Sequence, residues 1–151
     1  MKSHICALML IGILGFTPLC YAQTENANTS IQEVKKETQD LLQTIGSYTA
    51  DKRDEAVKKA KDGLINLDKR IDVLEARIDN NWDKMNEAAR KEARENLKAL
   101  RKQRNKVAEW YGSMKASSAD AWNHMKKGFS DAYKALKDAW EKSEKEFSSS
   151  K

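Results

Sequence analysis

Apolar residues recur every three or four positions along most of this chain, which is the spacing of one face of an α-helix. The most regular run is a heptad pattern between residues 57 and 85. We call its central part the helix seam, which consists of Leu64, Leu67, Ile71, Leu74 and Ile78. Charged residues fill the positions between them and suit solvated flanks. The run therefore predicts a long helix that packs on other helices through the helix seam.

Weaker patterns of the same kind precede and follow this run, and residues that weaken helices separate them. One amphipathic stripe extends from Ile31 to Tyr48, and another from Ala121 to Phe147. The breaks fall at Gly46 with Ser47, at Asn80, Asn81 and Asn86, and at Gly112 with Ser113. The candidate N-cap residues for the following helices are Asp51, Asn86 and Ser117.

These breaks divide the chain after Asp51 into three stretches of roughly thirty residues, a length that lets antiparallel helices cover one another. The predicted fold is all-α: an antiparallel coiled coil or three- to four-helix bundle of long amphipathic helices. The alternative is one or two very long helices that dimerise, because no break contains a proline. We favour the folded-back bundle, since Asn, Gly and Ser weaken helix at the breaks.

The first 22 residues have the pattern of a secretory signal peptide that is cleaved after Ala22. A single lysine precedes an apolar run from Ile5 to Phe16, and a segment with the helix breaker Pro18 leads to the small residue Ala22. A membrane anchor is the alternative, but a bilayer-spanning helix needs roughly 17 to 25 residues. Lipid attachment at Cys20 is disfavoured, because Leu19 stands where lipoprotein signals carry a small residue.

We therefore expect a signal peptide at residues 1–22, a flexible N-terminus at 23–29, a helical domain at 30–147 and a disordered tail at 148–151. Cleavage removes both cysteines and the only proline, and it leaves 129 residues with one histidine. The mature chain can then form neither a disulfide nor a thiolate metal site. It keeps 27 basic and 23 acidic residues, for a net charge of +4.

The sequence contains no recognisable catalytic constellation. The remaining histidine, His124, has no cysteine or second histidine at a metal-ligand spacing, so a helix-surface position is the simpler interpretation. There is no G-x-S-x-G elbow and no glycine-rich phosphate loop. The carboxylates lie among lysines and arginines at helical spacing, as in solvated ion pairs. We predict a protein that is not an enzyme and needs no metal or other cofactor.

Two features suggest binding, and the first is a basic helix face. We call it the basic strip, and it consists of Arg90, Arg94, Lys98, Arg101 and Arg104. Several of its members are three or four residues apart and share a face, which would attract phosphates of lipid headgroups or other polyanions. An ordinary solvated helix face is the simpler alternative, and we favour it.

The second feature is an aromatic face in the last segment, bordered by lysines. We call it the aromatic stripe, and it consists of Trp122, Phe129, Tyr133, Leu136, Trp140 and Phe147. A bulky apolar face edged by lysines is typical of a helix that lies in a membrane interface, or that holds an unfolded client. Packing on the tryptophans and seam leucines of the other helices is the alternative, and we favour it, because a stripe at helical spacing is usually core.

Three stretches carry a resemblance to known proteins: LDKRIDVLEARIDNNWDKM, ALRKQRNKVAEWYGSMKASSADAW and KKGFSDAYKALKDAWEKSEKEF. They resemble a group of small exported coiled-coil proteins of Gram-negative bacteria. The resemblance implies a helical fold and a periplasmic location, and it implies no mechanism.

We therefore expect an exported, structural or adaptor-like interaction protein of the bacterial envelope. It would bind a second copy or another envelope protein through the helix seam. The alternative is an amphipathic membrane-surface or chaperone-like binder that uses the aromatic stripe and the basic strip on an anionic surface. Export argues against nucleic acid as a partner.

Overall fold

The structure, a computed structural model, describes the backbone of residues 23–149 and the side chains of residues 30–149. The predicted signal peptide at 1–22 lies outside the described residues, as do the last two residues of the chain. The described part forms four α-helices: α1 (Gln23–Ser47), α2 (Arg53–Asn81), α3 (Glu87–Lys115) and α4 (Trp122–Ser149). Helices α2, α3 and α4 have 29, 29 and 28 residues, which confirms three stretches of comparable length.

Each helix runs antiparallel to its neighbours. Between α2 and α3, Asp68 contacts Arg104 while Trp82 contacts Arg90, so residue numbers fall along one helix as they rise along the other. The same reversal relates α1 to α2, α3 to α4 and α1 to α4. The chain therefore folds back on itself as an all-helical bundle with its helices in the order α1, α2, α3, α4 around the axis.

The helix seam lies in the core of this bundle. Four of its residues are at most 2% exposed, and Leu64 is half-buried. They belong to one apolar cluster to which all four helices contribute. The buried residues of α3 stand seven positions apart, namely Ala93, Leu100, Val107 and Met114. Because other helices of the same chain cover the helix seam, the chain is a folded-back bundle rather than a pair of extended helices that dimerise.

Helices α3 and α4 make the most extensive contact of the bundle, and a glycine permits their close approach. The Trp110 ring of α3 packs against Gly128 of α4. A methyl group at Gly128 would lie 2.3 to 2.5 Å from three carbons of that ring, closer than carbon atoms can approach. A smaller contact of this kind occurs where Leu41 of α1 lies over Gly63 of α2.

The structure corrects several predicted helix ends. Helix α1 begins at Gln23, which places residues 23–29 in helix where we expected a flexible segment, and α4 continues through Ser149 into the expected tail. The break predicted at Gly112 lies three residues later, because α3 ends at Lys115. No proline stands at any of these places to end the helix.

The predicted caps divide into one that forms and two that do not. The Asn86 side chain accepts a hydrogen bond of 2.8 Å from the Ala89 amide, which confirms it as the N-cap of α3. Asp51 makes no capping bond to α2, because it lies within a 3-10 turn before that helix. The Ser117 hydroxyl is buried and donates backwards to the Met114 carbonyl, so it does not cap α4.

Candidate functional site

The aromatic stripe lies inside the bundle. Its members, Trp122, Phe129, Tyr133, Leu136, Trp140 and Phe147, are each at most 6% exposed. They share the apolar cluster with the helix seam, and Trp82, Trp110 and Leu64 pack against that cluster. The stripe is therefore the inward face of α4, and almost none of its aromatic surface is exposed on the closed bundle.

Two residues of the basic strip are paired with acidic side chains of α2. Arg104 Nε lies 2.8 Å from Asp68 Oδ1, and Arg101 Nε lies 3.4 Å from Glu75 Oε1. The Arg104 and Asp68 side chains are 39% and 32% exposed, so water screens the pair only in part. These arginines join α3 to α2 and contribute little free positive charge.

Two further arginines of the strip lie against the aromatic ring of Trp82. The guanidinium carbons of Arg90 and Arg94 lie 5.6 and 5.4 Å from the ring centroid, within the range of cation–π attraction. Arg90 Nε also donates to the Trp82 carbonyl at 2.9 Å. The structure thus does not bring the five basic residues together as one anion site, because four of them have partners within the bundle.

The free positive charge of α3 lies on its outer face. Lys98 of the basic strip is exposed and has no ion pair among the described side chains, and Lys91 and Lys102 are exposed in the same way. These three, the outer lysines, share a face because they stand seven and four residues apart. Helix α3 carries nine basic and four acidic residues. Its excess of five equals the net charge of the whole chain.

A buried ion pair between α2 and α4 was not among the features predicted from the sequence. Glu144 is only 3% exposed, and its carboxylate pairs with the Arg77 guanidinium, which also lies 5.1 Å from the Phe147 ring centroid. A charge is buried at such a position only when a partner compensates it. The signal was present, since Glu144 stands four residues after Trp140 and three before Phe147, on the aromatic stripe itself.

A second cluster of charges surrounds Glu141 and ties α1 to α4. The carboxylate lies 2.6 Å from the ammonium of Lys145 and 3.0 Å from that of Lys35 on α1. Hydrogen bonds from Lys145 and Lys35 hold the pKa of Glu141 below its usual range, although partial burial opposes them. This carboxylate is therefore ionised at neutral pH and holds a contact between two helices.

Residues of α4 also satisfy the carbonyl groups at the end of α1. The Trp122 indole nitrogen donates to the Tyr48 carbonyl at 2.9 Å. The Lys126 ammonium donates to the carbonyls of Gly46 and Tyr48 at 3.0 and 2.8 Å. Carbonyls at a helix C-terminus lack partners within the helix, and a cation there is favourable. The start of α4 thus fastens the end of α1.

Two surface grooves follow the sides of α1. One of about 620 Å³ separates α1 from α4 beside Thr38 and Lys134, and one of about 310 Å³ lies between α1 and α2 beside Tyr133. Burial raises the pKa of the Tyr133 hydroxyl, which donates to the Gly63 carbonyl at 3.0 Å. A third groove, near Trp140, has a volume of about 200 Å³. Helix α1 therefore packs less closely on the bundle than α3 does on α4.

Within residues 23–149, no three His, Cys, Asp or Glu side chains come together in a way that could hold a metal ion. In the same part of the chain no helix has the length and apolar character needed to cross a membrane. Comparison with known proteins finds no matching family, no similar curated protein and no similar solved structure.

Proposed function

We propose that the mature protein is a non-enzymatic, exported interaction protein of the bacterial envelope, structural or adaptor-like, with the periplasm of a Gram-negative cell as its location. The signal-peptide pattern of residues 1–22 and the resemblance to exported coiled-coil proteins support the location. In this proposal the helix seam packs the helices of one chain together as an antiparallel coiled coil. A partner binds to the outside of the bundle, because binding at the seam itself would displace a helix.

One observation carries this proposal, namely the outer lysines on α3. They are exposed cations without ion pairs in the described structure, on the helix that holds the positive excess of the chain. Such a face attracts and orients an acidic protein surface, mainly by raising the rate of association. The partner is therefore an envelope protein with an acidic patch, or a second copy of this chain that presents one.

A charge-matched pair of variants tests the proposal. The first replaces Lys91, Lys98 and Lys102 by Gln, and the control replaces the exposed Lys58, Lys59 and Lys61 of α2 by Gln. Both remove three charges, so they separate the position of the charge from its amount. Proteins captured from envelope extract by the wild type and the control, and lost with the first variant, would support the docking face. Equal capture by both variants would refute it, and sedimentation of the purified protein shows whether the partner is a second copy.

Export is tested on its own by producing the full chain in a Gram-negative host. We expect the intact mass of the envelope fraction to match a chain that begins at Gln23, and we expect no reaction with a thiol reagent, because both cysteines lie before Ala22. A chain of full length in the cytosol would contradict the proposed location.

The grooves along α1 favour a second candidate function, an amphipathic membrane-surface or chaperone-like binder. In this proposal α1 lifts away and the aromatic stripe meets anionic lipid or an unfolded client. Tryptophan emission should then change on addition of anionic vesicles, because Trp122 and Trp140 leave the core, and the change should be lost in Trp140→Ala and Phe129→Ala.

The outer lysines distinguish the two candidates. A lysine near an anionic membrane contributes about 1 kcal/mol to binding, so the loss of three would weaken electrostatic docking by roughly a hundred-fold. Vesicle binding with unchanged tryptophan emission would indicate docking of the closed bundle. No binding at low salt would exclude the membrane.

A further inference from the structure

A small surface groove borders on a buried hydrogen-bond donor that has no acceptor among the described residues. Residues of α2 and α4 line it together with Ser30 of α1, and its volume is about 200 Å³. Trp140 is one of the lining residues and is 2% exposed, and its indole Nε1 has no acceptor among the described residues. Trp122 provides the contrast, because its indole N–H donates to the Tyr48 carbonyl. A buried N–H without a partner is destabilising, so such a group commonly binds a ligand or water.

The charges around this groove favour an anion. Lys69, Arg70 and Arg77 line it, against a single lining carboxylate, that of Glu144. Lys69 has no ion pair within the described structure, and the Arg70 guanidinium is only loosely held by exposed carboxylates of α1 at 3.3 and 3.5 Å. The lining therefore has two more positive than negative charges.

The Arg77 and Glu144 pair prepares this site. The Glu144 carboxylate accepts a hydrogen bond from one terminal nitrogen of Arg77, and Phe147 lies beside the guanidinium carbon. A guanidinium has five N–H donors, so Arg77 keeps donors for a further acceptor. Because Glu144 and Phe147 already hold the Arg77 side chain in place, this side chain loses little conformational entropy when a ligand binds to it.

The rest of the lining is apolar. The Trp140 ring forms one wall, and Val73 contributes a side chain that is 58% exposed, the most exposed large apolar residue in the described structure. The groove is smaller than the sites of drug-sized molecules, which occupy about 300 to 1,000 Å³. It suits a compact ligand with one anionic end and one apolar end.

We propose that this groove binds a small organic carboxylate with an apolar body. The carboxylate accepts a hydrogen bond from a terminal N–H of Arg77 and is attracted by Lys69 and Arg70. A small shift of the Trp140 side chain then brings its buried indole N–H within reach of the carboxylate. The apolar body lies between Val73 and the Trp140 ring. The site goes beyond the proposed function, since it lies on α2 and α4 and uses none of the outer lysines.

Phenylacetate is the probe, and the indole N–H signals of the four tryptophans are the readout, measured by NMR on the purified protein. We expect phenylacetate to shift the Trp140 signal saturably and to leave the Trp122 signal in place. Benzyl alcohol lacks the charge and acetate lacks the apolar body, so neither should produce this shift at the same concentrations. An unmoved Trp140 signal, or an equal shift with either of these two compounds, would overturn the proposal.

Two variants test the residues, with affinity measured by calorimetry. Trp140→Phe keeps a ring but removes the N–H, and it should weaken phenylacetate binding about ten- to a hundred-fold. Lys69→Gln changes an exposed side chain, so it leaves the fold intact and should weaken binding several-fold. Lys58→Gln, which removes an exposed lysine elsewhere on α2, should have no effect. Unchanged affinity in both test variants would show that phenylacetate binds elsewhere.

Discussion

Replacing Gly128 by Ala should destabilise the protein, although alanine is the better helix former. In a helix interior alanine is favoured over glycine by about 1 kcal/mol. At Gly128 the added methyl group would meet three carbons of the Trp110 ring at 2.3 to 2.5 Å. Overpacking of this kind costs about 1 to 3 kcal/mol, and the closeness of three atoms at once places the cost at the upper end. We therefore expect a net loss of about 1 to 2 kcal/mol in the free energy of unfolding.

Gly112 provides the matched control, because it lies in α3 and nothing is within 4 Å of the position of its missing Cβ. Gly112→Ala should stabilise the protein by about 0.5 to 1 kcal/mol. Urea unfolding followed by circular dichroism measures both variants. In a Trp110→Leu background Gly128→Ala should lose most of its cost, because the ring is gone. If Gly128→Ala is as stable as Gly112→Ala in the wild-type background, the close packing of α3 on α4 described here is wrong.

Three further predictions concern ion pairs and a cap. Arg77→Leu leaves the Glu144 carboxylate buried without its partner and should cost about 3 kcal/mol, whereas adding Glu144→Leu should restore much of the loss in urea unfolding. Glu141→Gln should lower the free energy of unfolding at neutral pH. Folding lowers the pKa of this carboxyl, so its contribution to stability is present above the unfolded pKa and is lost as pH falls through the folded pKa. The stabilities of the wild type and the variant should therefore become equal in acid. A difference that persists there would contradict this assignment. Asn86→Ala should cost about 1 kcal/mol through loss of the N-cap of α3, and Asp51→Ala, at a residue that makes no capping bond to α2, should cost much less.

Much of the fold was predictable because its information is local. The spacing of apolar residues fixes which face of each helix is buried, and four of the five residues of the helix seam are buried in the core. Asn86 was identifiable as a cap because its side chain acts on an amide three residues away. Ser117 was misjudged because its hydroxyl finds an acceptor in the preceding helix, the Met114 carbonyl.

The candidate sites were less predictable because their outcome depends on contacts between distant residues. Arg104 looked like a free cation, but its partner Asp68 is on another helix, and no pattern within α3 reveals it. The aromatic stripe could be identified but not placed from its spacing alone, since a core face and a membrane-binding face have the same period. The site beside Trp140 was not predictable from the sequence, because only a three-dimensional structure shows that the Trp140 indole N–H lacks an acceptor.

The bonds from Trp122 and Lys126 to the last carbonyls of α1 have a mechanical consequence. A helix that is tethered at its C-terminal end and flanked by grooves along its length would peel from the opposite end and pivot about the tether. Amide hydrogen exchange along α1 should therefore slow progressively from residue 30 toward Ile45, which is fully buried. Lys126→Ala removes the lysine bonds of this tether and leaves that of Trp122. It should make exchange along α1 more uniform and have little effect on exchange in α3 or α4.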